Sequence, residues 1–179
     1  MKSYLFLFVL FFVIISCSNT EPRKPIVRKT SSFMEESVQR NKLLNKVEED
    51  LLAYKMQTDS LHEYIDSNNG FWYYFQQKDS LKSRFPVKGD EVVFTYEIKN
   101  LQDSILYTKE EIGIRKHLVD REELITGLQD GIKLIKEGEI ATFLFPSYKA
   151  YGYTGYERIK SNEPLIYTVQ IIKINKNKD

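Results

Sequence analysis

Few side chains in this sequence of 179 residues can do covalent chemistry. His62 in a helical stretch and His117 in a charged loop have no cysteine, histidine or acid at a spacing that would share a metal with them. Cys17 is the single cysteine, so no disulfide can form within the chain. Glu110-Glu111 and Glu122-Glu123 read as solvated surface rather than as general acids. No glycine-rich phosphate loop and no nucleophile elbow occurs. Neither a metal nor a cofactor is expected. The chemistry left is non-covalent, and its densest stretch runs from Leu124 to Gly152, LITGLQDGIKLIKEGEIATFLFPSYKAYG.

The elements that must hold that stretch are legible from its pattern. Gly127, Gly131, Gly138 and Gly152 stand at joints, where glycine signals a sharp turn or a close backbone approach. Leu128, Ile132 and Ile135 recur at helical spacing across residues 127–136, giving one apolar face to lay on a sheet. Residues 136–139 read as the turn out of that helix, and residues 140–145 as a strand stopped by Pro146. A Tyr151-Gly152 pair then opens a loop. Upstream, residues 70–75 form an aromatic strand, and residues 91–99 alternate with Val92, Phe94, Tyr96 and Ile98 on one side. Leu165, Tyr167, Val169 and Ile171 make a similar row near the end. The fold class is α+β: an antiparallel sheet wrapped around one short helix over residues 70–175, preceded by a long amphipathic helix.

These residues resemble the FK506-binding-protein (FKBP) class of peptidyl-prolyl cis-trans isomerases over roughly residues 70–174. The family pattern is met in order as Leu124-Ile125-Thr126-Gly127, Gly138-Glu139, Ala150-Tyr151-Gly152, Asn162, and Leu165-Ile166-Tyr167-Thr168-Val169-Gln170-Ile171. The resemblance implies rotation about X-Pro bonds, with Tyr96, Tyr151 and Tyr167 as the residues acting on the substrate. It also implies an apolar lining from Leu106, Tyr107, Leu124, Ile125, Leu128 and Ile159. Within it, the Ile125 backbone N–H donates to the peptide and the Tyr151 hydroxyl meets a substrate carbonyl. Three departures stand out. Leu106-Tyr107 replaces the family's Phe-Asp, Leu128 replaces its pocket-floor Trp, and a strand Phe falls near Arg115. The loop over residues 153–159 also lacks the prolines common there. Weak rotamase activity and poor binding of the immunosuppressant macrolides are expected.

The ends of the chain add a location. Lys2, an apolar run over residues 4–15 and Ser16-Cys17 read as a lipoprotein signal peptide over residues 1–16. The run is shorter than the about 20 residues that span a bilayer. It resembles a bacterial lipobox, with Cys17 as the lipidated residue. Residues 17–31 read as a flexible tether carrying Pro22 and Pro25. Residues 32–67 read as one helix opened by a Ser32-x-x-Glu35 capping box. Its apolar stripe comprises Met34, Val38, Leu44, Val47, Leu51, Tyr54, Leu61 and Ile65. That stripe could pair with a second copy, as the resemblance implies for a homodimer, lie on the chain's own sheet, or meet a partner protein. The balance of 26 basic against 25 acidic side chains argues against nucleic acid.

The expectation is therefore a lipid-anchored envelope isomerase that assists exported, proline-containing client polypeptides. Ser18-Asn19 suggests the outer membrane, facing the periplasm. Overall likeness is greatest to the gliding-motility-associated isomerase lipoproteins of gliding bacteria. The alternative is a non-catalytic binding module holding a motility or secretion partner.

Overall fold

A computed structural model describes residues 30–78 and 84–177. The expected signal peptide, Cys17 and nearly all of the expected tether lie outside the described residues. Two compact units divide the chain, residues 1–36 and 37–179. In the first, the described residues 30–36 are helical, with Phe33 and Met34 exposed. The second holds the sheet and its cover.

Helix α1 spans Thr30–Thr58. It starts two residues before Ser32 and stops well short of residue 67, so the expected bounds need correction at both ends. Past Thr58, the Asp59 carboxylate accepts the Leu61 N–H at 2.9 Å, turning the chain out of the helix. His62 thus lies beyond the helix, stacked on Tyr74, and Ile65 belongs to the two-residue strand β1 (Ile65–Asp66).

The sheet continues with β2 (Trp72–Gln77), β3 (Glu91–Asn100), β4 (Ile105–Tyr107), β5 (Arg115–Leu118), β6 (Ile140–Phe145) and β7 (Leu165–Asn175). Their order is β1-β2-β6-β7-β3-β4, with β5 also on β3, and every pairing is antiparallel. Short helices α2 (Lys109–Ile112) and α3 (Thr126–Gly131) complete the second unit.

Alternation along the central strands sorts the side chains. Phe143 and Phe145 of β6, and Leu165, Tyr167, Val169 and Ile171 of β7, turn to one face. There they close a core with Leu128, Ile132 and Ile135 of α3 and the segment after it. The helix lies unusually close to the strand beneath. A Cβ on Gly127 would stand 2.6 Å from Phe145 Cδ1, so only glycine fits. The predicted turn at residues 136–139 is present, with Gly138 at φ +87°.

The opposite face carries Leu144 and Ile166, and α1 covers them with Leu52. Helix α1 therefore does lie on its own sheet, but not by the stripe read from its periodicity. Val38, Leu44, Val47, Leu51 and Tyr54 are exposed, while Glu48 and Leu52 face inward. His117, expected in a charged loop, is a buried residue of β5 opposite Val92.

Candidate active site

Side chains from four elements and one loop enclose a cavity of about 290 Å³. Tyr96 and Ile98 reach it from β3, Tyr107 from β4, Glu111 and Ile112 from α2, and Arg115 from β5. Tyr151, Tyr156 and Glu157 reach it from the loop after β6.

Tyr96 belongs to the inward row of β3, yet it is only half-buried where Val92, Phe94 and Ile98 are closed. The cavity is the cover it lacks. Its ring stacks on Phe94 at 5.8 Å and on Tyr167 at 5.5 Å. Burial raises its phenol pKa. Tyr167 stands opposite Ile98 on β7 and diagonal to Tyr96. It is fully buried between Tyr96 and Phe145, backing the cavity rather than lining it. Its hydroxyl has no hydrogen-bond partner among the described residues. The Tyr151 phenol stands near it without completing a bond of ordinary geometry. Burial, and then the phenols of Tyr151 and Tyr96, push the Tyr167 pKa far above the usual tyrosine range.

Tyr151 sits on a loop that hangs from one serine. Pro146 ends β6, and residues 147–149 form a single tight helical turn. The Ser147 carbonyl accepts the N–H groups of Ala150 and Gly152, each at 2.8 Å, so Tyr151 is held between two anchored neighbours. The Tyr151 ring stacks on Tyr156 at 5.3 Å. Asn162 N–H donates to Gly152 carbonyl at 2.8 Å, closing the loop behind it.

The rim is charged. The Tyr107 hydroxyl donates to Glu157 Oε2 at 2.8 Å, and the Arg158 guanidinium lies over the Tyr107 ring at 4.8 Å. Arg158 also donates to the Leu106 carbonyl at 2.8 Å and to Glu111 Oε1 at 2.9 Å. The Arg158 bond holds the Glu111 carboxyl below the usual range. Desolvation, then the Glu157 bond, raises the Tyr107 phenol. Glu111 has a structural task as well: with Thr108 it forms a capping box that opens α2.

The sequence-predicted residues thus fall into three groups. Tyr96, Tyr107 and Tyr151 line the cavity together. Leu106, Leu124 and Ile125 are half-buried against the core, with Ile125 directly before α3. Leu128 and Ile159 are closed in the core, and Tyr167, stacked on Tyr96, backs the cavity. Sequence reasoning missed Arg115, Tyr156 and Glu157 as lining residues, and it placed Glu111 on a bland surface. Only Glu111 carried a local signal, the Thr-x-x-Glu spacing. A wider cavity of about 390 Å³ lies on the face that α1 covers. Its lysines are already matched, Lys55 to Asp103 and Lys99 to Glu97, and His62 bonds Asp59; none of the predicted residues lines it. No group of ligands able to hold a metal is present among the described residues.

Residues 82–172 match the family model described as FKBP-type peptidyl-prolyl cis-trans isomerase. One relative is the probable FKBP-type peptidyl-prolyl cis-trans isomerase FkpA of Neisseria meningitidis serogroup B, 32% identical over 90 residues. That match takes in 50% of this chain but only 33% of the relative's length. Among solved structures, a peptidyl-prolyl cis-trans isomerase from Pseudomonas syringae pv. tomato superposes with a TM-score of 0.61 at 16% identity, over 75% of this chain and 96% of the other. The N-terminal domain of FKBP42 from Arabidopsis thaliana gives 0.57 at 19% identity, over 66% and 95%. At such identities these two likenesses speak to the fold.

Proposed function

Because the chain belongs to the FKBP-type peptidyl-prolyl cis-trans isomerases, we propose that its cavity rotates X-Pro bonds in client polypeptides. The observation that carries this reading is the convergence of Tyr96, Tyr107 and Tyr151 on one aromatic-walled space. The reaction needs no nucleophile and no proton transfer. Its barrier of roughly 18–20 kcal/mol is amide resonance, and a site lowers it by holding the twisted amide better than either planar form. The twisted amide has less charge separation, so an apolar wall suits it. The Tyr151 hydroxyl and the Ile125 N–H would fix the flanking peptide.

Tyr107 and Leu128 stand where the family has an acid and an indole, and the Tyr107 hydroxyl is already tied to Glu157. Activity is therefore expected to be weak, and these same positions favour the second reading, a binding module that grips without turning. The cis-to-trans rate of a Leu-Pro test peptide with the full chain separates the two. Exchange faster than the uncatalysed tens to hundreds of seconds, falling in Tyr151→Phe and Tyr167→Ala, is the expected result. No acceleration from folded protein leaves the binding module.

The finer reading is a lipoprotein anchored through Cys17 in the bacterial envelope, serving exported clients, among them parts of a gliding-motility apparatus. Ser16-Cys17 after an apolar run supports the anchor. A homodimer through α1 is supported by its exposed Leu44, Val47, Leu51 and Tyr54.

A further inference from the structure

Helix α1 precedes the family match at residues 82–172, yet it grips the loop that carries Tyr151. Glu48 is 5% exposed, and its carboxylate spends both oxygens on one residue. Oε2 accepts the Ser147 N–H at 2.7 Å, and Oε1 accepts the Ser147 hydroxyl at 2.8 Å. The remaining polar group of that serine, its carbonyl, accepts the N–H groups of Ala150 and Gly152 on either side of Tyr151. One buried serine therefore joins the helix by hydrogen bonds to the two residues that flank the tyrosine. Next to it, the Tyr148 hydroxyl donates to Glu49 Oε1 at 3.2 Å.

Docking the helix does not by itself require a charge here. Leu52, one turn on, docks it by apolar contact with Leu144 and Ile166. A carboxylate removed from water and given neutral donors is a costly way to add adhesion. What it adds is direction, since two short bonds fix Ser147 where one apolar contact would not.

We propose that Glu48 is a positioning residue for the cavity, setting the Tyr151 loop through Ser147. This rests on the reading of that cavity as a prolyl-peptide site. Isomerase turnover and binding of a Leu-Pro peptide, followed by amide NMR, are measured for the full chain, Glu48→Leu, Glu48→Gln and Leu52→Ala. All are read at a temperature where each is folded. Glu48→Leu removes both acceptors and is expected to lower kcat/KM and weaken peptide binding by about tenfold, the scale of a small misplacement of a binding group. Glu48→Gln keeps an acceptor for the Ser147 N–H and a donor for its hydroxyl oxygen, and is expected to retain most of both. Leu52→Ala is expected to lower the melting temperature while leaving both nearly unchanged. Equal loss in Glu48→Leu and Leu52→Ala would reduce Glu48 to adhesion and overturn the proposal, as would a Glu48→Leu protein indistinguishable from wild type. A wild-type protein that binds the peptide without turning it over removes the enzyme reading alone, and the affinity ratio still decides the role of Glu48. One that neither binds nor turns over overturns the prolyl site and this proposal together.

Discussion

Tyr167 buries a hydroxyl that finds no partner among the described residues, although its ring is packed on both sides by Tyr96 and Phe145. An unpaired polar atom in a core is a net cost, so removing it while keeping the ring relieves the fold. Tyr167→Phe is expected to raise stability by about 1 kcal/mol in urea unfolding. A loss instead would mean that the hydroxyl is bonded in solution. His117 is also buried, and its Nε2 has no partner among the described residues. Burial lowers its pKa below 6.5, against the smaller opposing pulls of Glu122 and Asp120, while Lys133 lowers it further. The unfolded chain therefore takes up the proton first. The stability that neutral His117 contributes is complete above about pH 6.5 and is lost as pH falls below it. Melting temperatures between pH 7.5 and 5 should fall less steeply in His117→Leu than in the wild type.

Helix α3 meets the sheet closely enough that its glycines set the spacing between them. Gly127→Ala would drive a methyl group into the Phe145 ring, and a loss of about 1–3 kcal/mol is expected from the forced shift. Because Phe145 packs on Tyr167 and α3 follows Ile125, peptide affinity should fall along with stability. An alanine variant as stable as the wild type would show that the helix can retreat freely. Helix α1 illustrates the opposite case, a long element whose periodicity misreports its buried side. Counting apolar residues selects Leu44, Val47, Leu51 and Tyr54, whereas the sheet receives Glu48 and Leu52. The reason is that Ser147 offers two donors on that face, and a sequence scan scores a carboxylate as solvent-facing wherever it stands.

Across the molecule, one sheet is covered by α3 on one face and by α1 on the other, and α1 leaves Val38, Leu44, Val47, Leu51 and Tyr54 exposed among charged residues. If that surface joins a second copy, stability couples to concentration by mass action. The melting temperature should then rise with protein concentration, and Val47→Ser with Leu51→Ser should abolish the rise. A wild type without concentration dependence would leave this face to another partner. The α+β class, the order of turn, helix and strand from Leu124 to Phe145, and the inward rows of β3 and β7 were all legible in the chain before it folds. Each depends on local spacing, which a strand or helix imposes on its own residues. The order of family motifs, rather than any one spacing, named Tyr96, Tyr107 and Tyr151, which line one cavity. Tertiary packing set Tyr167 behind the cavity, between Tyr96 and Phe145, rather than in its wall. It alone brought Arg158 to Glu111 across 47 positions and Glu48 to Ser147 across 99. Such pairings depend on which faces the sheet leaves open after its strands have found one another, and no window along the chain contains both partners.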